Sequence, residues 1–128
     1  MKTIWNLFIV LMMIVACAKK TDNFNGKEYE LMMSSAEAEI TIGFDKKENR
    51  CHGQSAVNRY FGSYELTDNE IKFGAVGATM MMGPQSLMEL EMQYLQDLAK
   101  VKKYKLEDKK LYLYTDDGKE LVFEEVSA

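Results

Sequence analysis

Apolar and polar residues alternate with a period of two through most of the chain, the mark of strands buried on one face. The cleanest case is residues 39–45, where Ile40, Ile42 and Phe44 interleave with Glu39, Thr41, Gly43 and Asp45. Upstream, residues 26–33 place Tyr29, Leu31 and Met33 on one face and Glu28 and Glu30 on the other. Downstream, a charged turn at 45–49 leads to a strand at 50–55, with Cys51, Gly53 and Ser55 on one face and His52 on the other. Residues 58–62 carry turn chemistry, since asparagine tolerates positive φ and glycine supplies a sharp bend. A strand at 63–66 then presents Tyr64 and Leu66, a polar turn occupies 67–70, and Ile71 and Phe73 alternate about Lys72. Residues 74–82 follow neither period. Closing strands are predicted at 101–106, 111–115 and 120–126, the last two joined through the hairpin signal Asp117-Gly118.

Only one stretch has helical spacing. Gly83-Pro84 opens it, because proline suits a first helical turn where its missing N–H would be unsatisfied anyway. Leu87, Leu90, Tyr94 and Leu98 share a face, flanked by Met88, Met92, Leu95 and Ala99. Glu89, Gln93, Gln96 and Lys100 take the opposite side, and Ser86 with Glu89 has the spacing of a capping box. About eight short strands with one helix after the fifth or sixth predict a mainly β (α+β) fold. The expected form is a small antiparallel barrel, closed to remove its edges, with the amphipathic helix packed over one end.

The first residues follow a different pattern. After Lys2, residues 4–16 are almost wholly apolar, too short to span a bilayer core of about 30 Å as a helix but suited to a secretion signal. The run ends in Ile14-Val15-Ala16-Cys17, a lipobox pattern that predicts cleavage before Cys17 and lipid on its sulfur. Residues 1–16 are therefore read as a lipoprotein signal peptide, 17–25 as a polar tether and 26–128 as one folded domain. Ala18 after the cysteine favours the outer membrane, on its periplasmic side, in a Gram-negative cell. The formal charge is −4, or −5 once Lys2 is removed, and no basic block points to nucleic acid. Cleavage also leaves Cys51 as the only thiol besides the lipidated one, which excludes a disulfide within one mature chain and fits a small buried hydrophobe.

The candidate chemistry is thin. His52 is the only histidine, and Cys51 beside it points to the other strand face, so a hydrolase built on His52 is the least favoured reading. Glu89 and Glu91 stand two apart on a helix, about 200° around its axis, and do not form a facing carboxylate pair. Glu89 is instead expected as a first-turn acid near the positive helix end. The thioethers of Met32, Met33, Met80, Met81, Met82, Met88 and Met92 would suit Cu(I). Neighbours in an extended segment point apart, however, and methionine as core filler explains the residues more simply, so neither metal nor cofactor is expected. Tyr112 and Tyr114 share a face, as pocket lining or as core with hydroxyls at the rim.

The order Gly53, Asn58, Tyr60, Phe61, Gly62, Tyr64, Phe73, Thr79, Glu89 and Glu91 resembles the META domain of HslJ-like heat-shock lipoproteins, over nearly the whole chain after the tether. The resemblance implies a small β-barrel with one helix, no enzymatic activity, and a setting of envelope stress and antibiotic tolerance. Gly53, Asn58, Tyr60, Gly62, Tyr64, Thr79, Glu89 and Glu91 are taken as structural motif residues, with Asn58 and Gly62 shaping a turn. Family members commonly carry cysteines where this chain has Val57 and Gly83, and a tryptophan where it has Tyr29, so no redox role of that pair carries over. The expectation is a membrane-anchored envelope protein that binds a protein partner or acts structurally. The alternative is a carrier of small apolar ligands using the barrel mouth.

Overall fold

The computed structural model describes residues 24–32 and 38–126. Among the described residues, nine strands and one helix follow in the order β1 (Glu28–Leu31), β2 (Thr41–Phe44), β3 (Arg50–Gln54), β4 (Arg59–Thr67), β5 (Glu70–Phe73), β6 (Gly77–Ala78), α1 (Gln85–Ala99), β7 (Val101–Glu107), β8 (Lys110–Thr115) and β9 (Glu120–Glu125). All pairings are antiparallel. They run β3-β2-β1-β9-β8-β7-β5-β4, and β4 returns to β3 to close an eight-stranded barrel. β6 adds only a short ladder to β4, at Tyr60–Ala78 and Phe61–Gly77.

The alternation read from sequence decides which residues fill the barrel. Tyr29, Ile40, Ile42, Phe44, Tyr64, Phe73, Leu111, Leu113 and Phe123 are buried, as their positions predict. At Gly53 a side chain is excluded outright, since a Cβ there would lie 2.1 Å from the Thr41 carbonyl oxygen. Gly62 is not a turn residue. The turn is 55–58, its positive φ falls on Ala56 at 85°, and Gly62 lies inside β4 where a Cβ would come within 3.1 Å of the Ala75 carbonyl. Tyr112 and Tyr114 face outward and half-buried, because the inward positions of β8 belong to Leu111, Leu113 and Thr115.

The two barrel ends differ. At one end the chain enters, the turns after β2, β4 and β7 cluster, and the last described residue returns: Tyr64 N bonds Asn49 O, Tyr104 N bonds Asn69 O, Glu125 N bonds Lys109 O, and Val126 N bonds Glu28 O. The tether reading fails at Phe24, which is buried among Phe44, Tyr64 and Tyr104 and stoppers this end, while Asn25 accepts a bond from the Tyr64 hydroxyl. At the other end lie the 55–58 turn, residues 74–84, α1 and the turn after β8.

α1 buries Tyr94 and Leu98 on the predicted stripe, but its N-terminus differs from expectation. Pro84 is the cap residue, with ψ at 142°, and no side chain caps the helix. Glu89 lies beyond the first turn, exposed, 3.4 Å from the Gln85 amide. The capping box therefore does not form.

Candidate functional site

Of the motif residues, Asn58, Thr79 and Glu91 converge where α1 meets the 55–58 turn, while Glu89 is exposed and Tyr64 lies at the opposite end of the barrel. Ser55 N donates to Asn58 O across this turn, which leaves the Val57 and Asn58 N–H groups without strand partners. Glu91 takes both. Its Oε1 accepts from Val57 N (3.1 Å), Asn58 N (2.6 Å) and Ser55 Oγ (2.8 Å), and its Oε2 accepts from Asn58 Nδ2 (2.8 Å). Burial raises the cost of a carboxylate charge, but these bonds outweigh it, and the Glu91 pKa falls below the ordinary range.

Asn58 carries the link onward. Its Oδ1 accepts from Met81 N (2.6 Å) and Thr79 Oγ1 (2.9 Å), and its Nδ2 also donates to Met81 O (3.2 Å). Thr79 Oγ1 in turn accepts from Arg59 N. The amide thus uses both donors and both lone pairs. It fastens a turn, a helix and a loop at one point, and its own backbone is not the left-handed one that a turn asparagine would suggest.

Tyr60 and Tyr94 form the second layer. The Tyr60 hydroxyl donates to the Thr41 carbonyl at 2.6 Å, so the Tyr94 hydroxyl supplies the proton of the 2.6 Å bond between the two rings. Burial raises both pKa values. Cys51 is buried, and its thiol is pushed up to about 11 by desolvation.

The remaining candidates stand apart. His52 is on the barrel exterior, 3.6 Å from Glu28, while the Ser55 hydroxyl faces Glu91 inside. Cys17 and Met33 lie outside the described residues. Tyr29 has a buried hydroxyl with no hydrogen-bond partner among the described residues, and burial, with Glu125 adding to it, pushes its pKa to about 12. Val57 and Gly83 are neighbours: a Cβ on Gly83 would sit 3.6 Å from the Val57 Cβ and 3.0 Å from its methyls. Sequence reasoning missed that Glu91 is buried. The signal was its spacing, since Glu91, Tyr94 and Leu98 lie on one helical stripe. It also missed Asp97, buried against Lys119 Nζ (2.9 Å) and Gln93 Nε2 (3.0 Å).

Two solved structures share this fold. An NMR structure of a protein from Burkholderia xenovorans is 24% identical, with a TM-score of 0.71 over 82% of this chain and 85% of that one. A second NMR structure is 21% identical, with a TM-score of 0.62 over 79% of this chain and 90% of that one. No curated protein matches the chain. The profile of the META domain matches residues 20–128, starting ahead of the buried Phe24, and the chain belongs to the META domain family.

Proposed function

We propose that the protein is a lipid-anchored component of the bacterial cell envelope that acts in stress tolerance by binding, without catalysis. The observation that carries this reading is how the motif's polar groups are used. Ser55, Asn58, Thr79 and Glu91 are engaged with one another and with backbone, so none is left as a base beside a nucleophile. The barrel interior holds large side chains, with α1 over one end and Phe24 in the other, which favours recognition on the outer surface over a ligand carried inside. The lipobox at Cys17 supplies the anchor and the compartment.

The test is made in a bacterial host lacking its own copy. Wild-type protein should fractionate with membranes and carry acyl mass on Cys17, and Cys17→Ala should be released or left unprocessed. His52→Ala should retain stress tolerance. Normal membrane fractionation of Cys17→Ala would overturn the anchor, and loss of tolerance in a folded His52→Ala protein would restore a catalytic reading. A saturable thermal shift with small apolar metabolites would favour the carrier instead.

A further inference from the structure

Among the described residues, sulfur is placed in two opposite ways. Cys51 carries the more easily oxidised kind, but it is buried, and desolvation keeps its thiol protonated. The thioethers are displayed. Met80 and Met82 are 94% and 87% exposed, against 62% for Met92, 56% for Met81 and 51% for Met32, and Met88 is half-buried. The reading of the methionine run as core filler therefore fails at Met80 and Met82, which fill nothing.

The backbone that carries them is held by other groups. The Asn58 side-chain amide bonds both N and O of Met81, as a neighbouring strand would. This stretch is therefore extended, with Met80 and Met82 on one side and Met81 on the other. Thr79 N donates to Arg59 O at 3.0 Å, and Gly83 packs against Val57. A chemical change at the sulfurs of Met80 and Met82 thus leaves the Asn58 network and the barrel core untouched. Residues 73–88 also carry no charged side chain, in a chain that is 28% charged. A polar group made there changes the character of the whole loop.

We propose that Met80 and Met82 form a reversible oxidation site for peroxides at the helix-bearing end of the barrel. Each sulfur gives an electron pair to a peroxide oxygen. The S–O bond forms as the O–O bond breaks, and the proton on the transferred oxygen passes to the departing hydroxide to give water. The product sulfoxide is polar, so the oxidant converts an apolar face into a polar one while the fold stands. Its exposure leaves it open to a thiol-dependent reductase, which removes the oxygen as water while two thiols become a disulfide. The site does not depend on the anchoring reading, since the loop is displayed whether or not Cys17 carries lipid.

The experiment uses the full chain in detergent. Hydrogen peroxide is added with N-acetylmethionine amide as an internal reference, and oxygen uptake at each methionine is followed by peptide mass mapping. Met80 and Met82 should react fastest among the described methionines, near the rate of the reference, with Met92, Met81 and Met32 slower and Met88 slowest. The doubly oxidised protein should melt like the untreated one. A mixture of the two methionine sulfoxide reductases, one for each sulfoxide epimer, should remove the oxygen from both residues. Met80→Leu/Met82→Leu should melt like wild type with or without the same dose of peroxide. Uptake at Met92 or Met32 as fast as at Met80 and Met82 would overturn the proposal. So would sulfoxides that the reductases leave in place, or a melting temperature that peroxide lowers in wild type but not in the double variant.

Discussion

Replacing Glu91 by glutamine keeps the shape of the side chain and removes its charge. The amide group must then face either the three donors at Oε1 or the Asn58 Nδ2 at Oε2, and both arrangements set donor against donor. The less costly choice gives up the Asn58 Nδ2 bond and turns three charge-assisted bonds into neutral ones. A hydrogen bond to a charged group contributes about 1.5–3 kcal/mol and a neutral one about 1, a loss of roughly 3–9 kcal/mol, but the neutral amide avoids the cost of burying a charge, so the net loss should be roughly 2–4 kcal/mol. In a domain of this size that is roughly 10–20 °C in Tm. The pH dependence has a definite sign. The native pKa of Glu91 lies below its ordinary value of 4.5, so its contribution is present above that value and disappears as pH falls through the native pKa. Urea unfolding of both chains, followed by far-UV circular dichroism from pH 7 down to pH 3, should show a gap that narrows on the acid side. A gap under about 0.5 kcal/mol at pH 7, or one that does not change with pH, would show that Glu91 does not hold the helix to the turn.

Three further outcomes are expected. Val57→Cys/Gly83→Cys should oxidise readily, because the two Cβ positions fall within disulfide range, and should gain about 2–4 kcal/mol that a reductant removes in paired thermal melts. Cys51 should label slowly with thiol reagents in the native state even at pH 8–9, since burial raises its pKa to about 11, and fast labelling of folded protein would contradict this. Tyr29→Phe should be neutral or stabilising by up to about 1 kcal/mol in urea melts, because the lost hydroxyl has no partner among the described residues, and a clear loss would contradict this.

The strands were legible because each half-buried strand writes its burial as a period of two, and Ile40-Ile42-Phe44 needs no further context. The helix was legible for the same reason at its own period. Glu91 was not: a glutamate on an amphipathic helix is ordinarily solvated, and only the unpaired N–H groups of a turn more than thirty residues upstream make its burial favourable. Gly62 was misplaced because a glycine needed for a close approach within a strand looks the same in sequence as one needed for a bend. Phe24 lay within a polar stretch whose composition concealed one large aromatic side chain. Met80, Met81 and Met82 were assigned by hydrophobicity alone, and hydrophobicity cannot distinguish a core side chain from one held out on a fixed loop. Tyr112 and Tyr114 share a period with the inward leucines, and only the pairing of β8 with β7 and β9 decides which set faces out.

The burial of Phe24 has a mechanical consequence if Cys17 is held in a membrane. Seven residue steps separate the two, a leash of at most about 25 Å, so any tension between anchor and domain arrives at the aromatic cluster almost at once. Past Phe24 the pull passes into β1, an interior strand bonded to β2 on one side and β9 on the other. β1 runs away from the end where the chain enters, so the force acts along the strand and loads both ladders in shear, with the bonds sharing the strain instead of parting one by one. The same chain direction leaves α1 and the methionine loop at the far end, outside the path of the load.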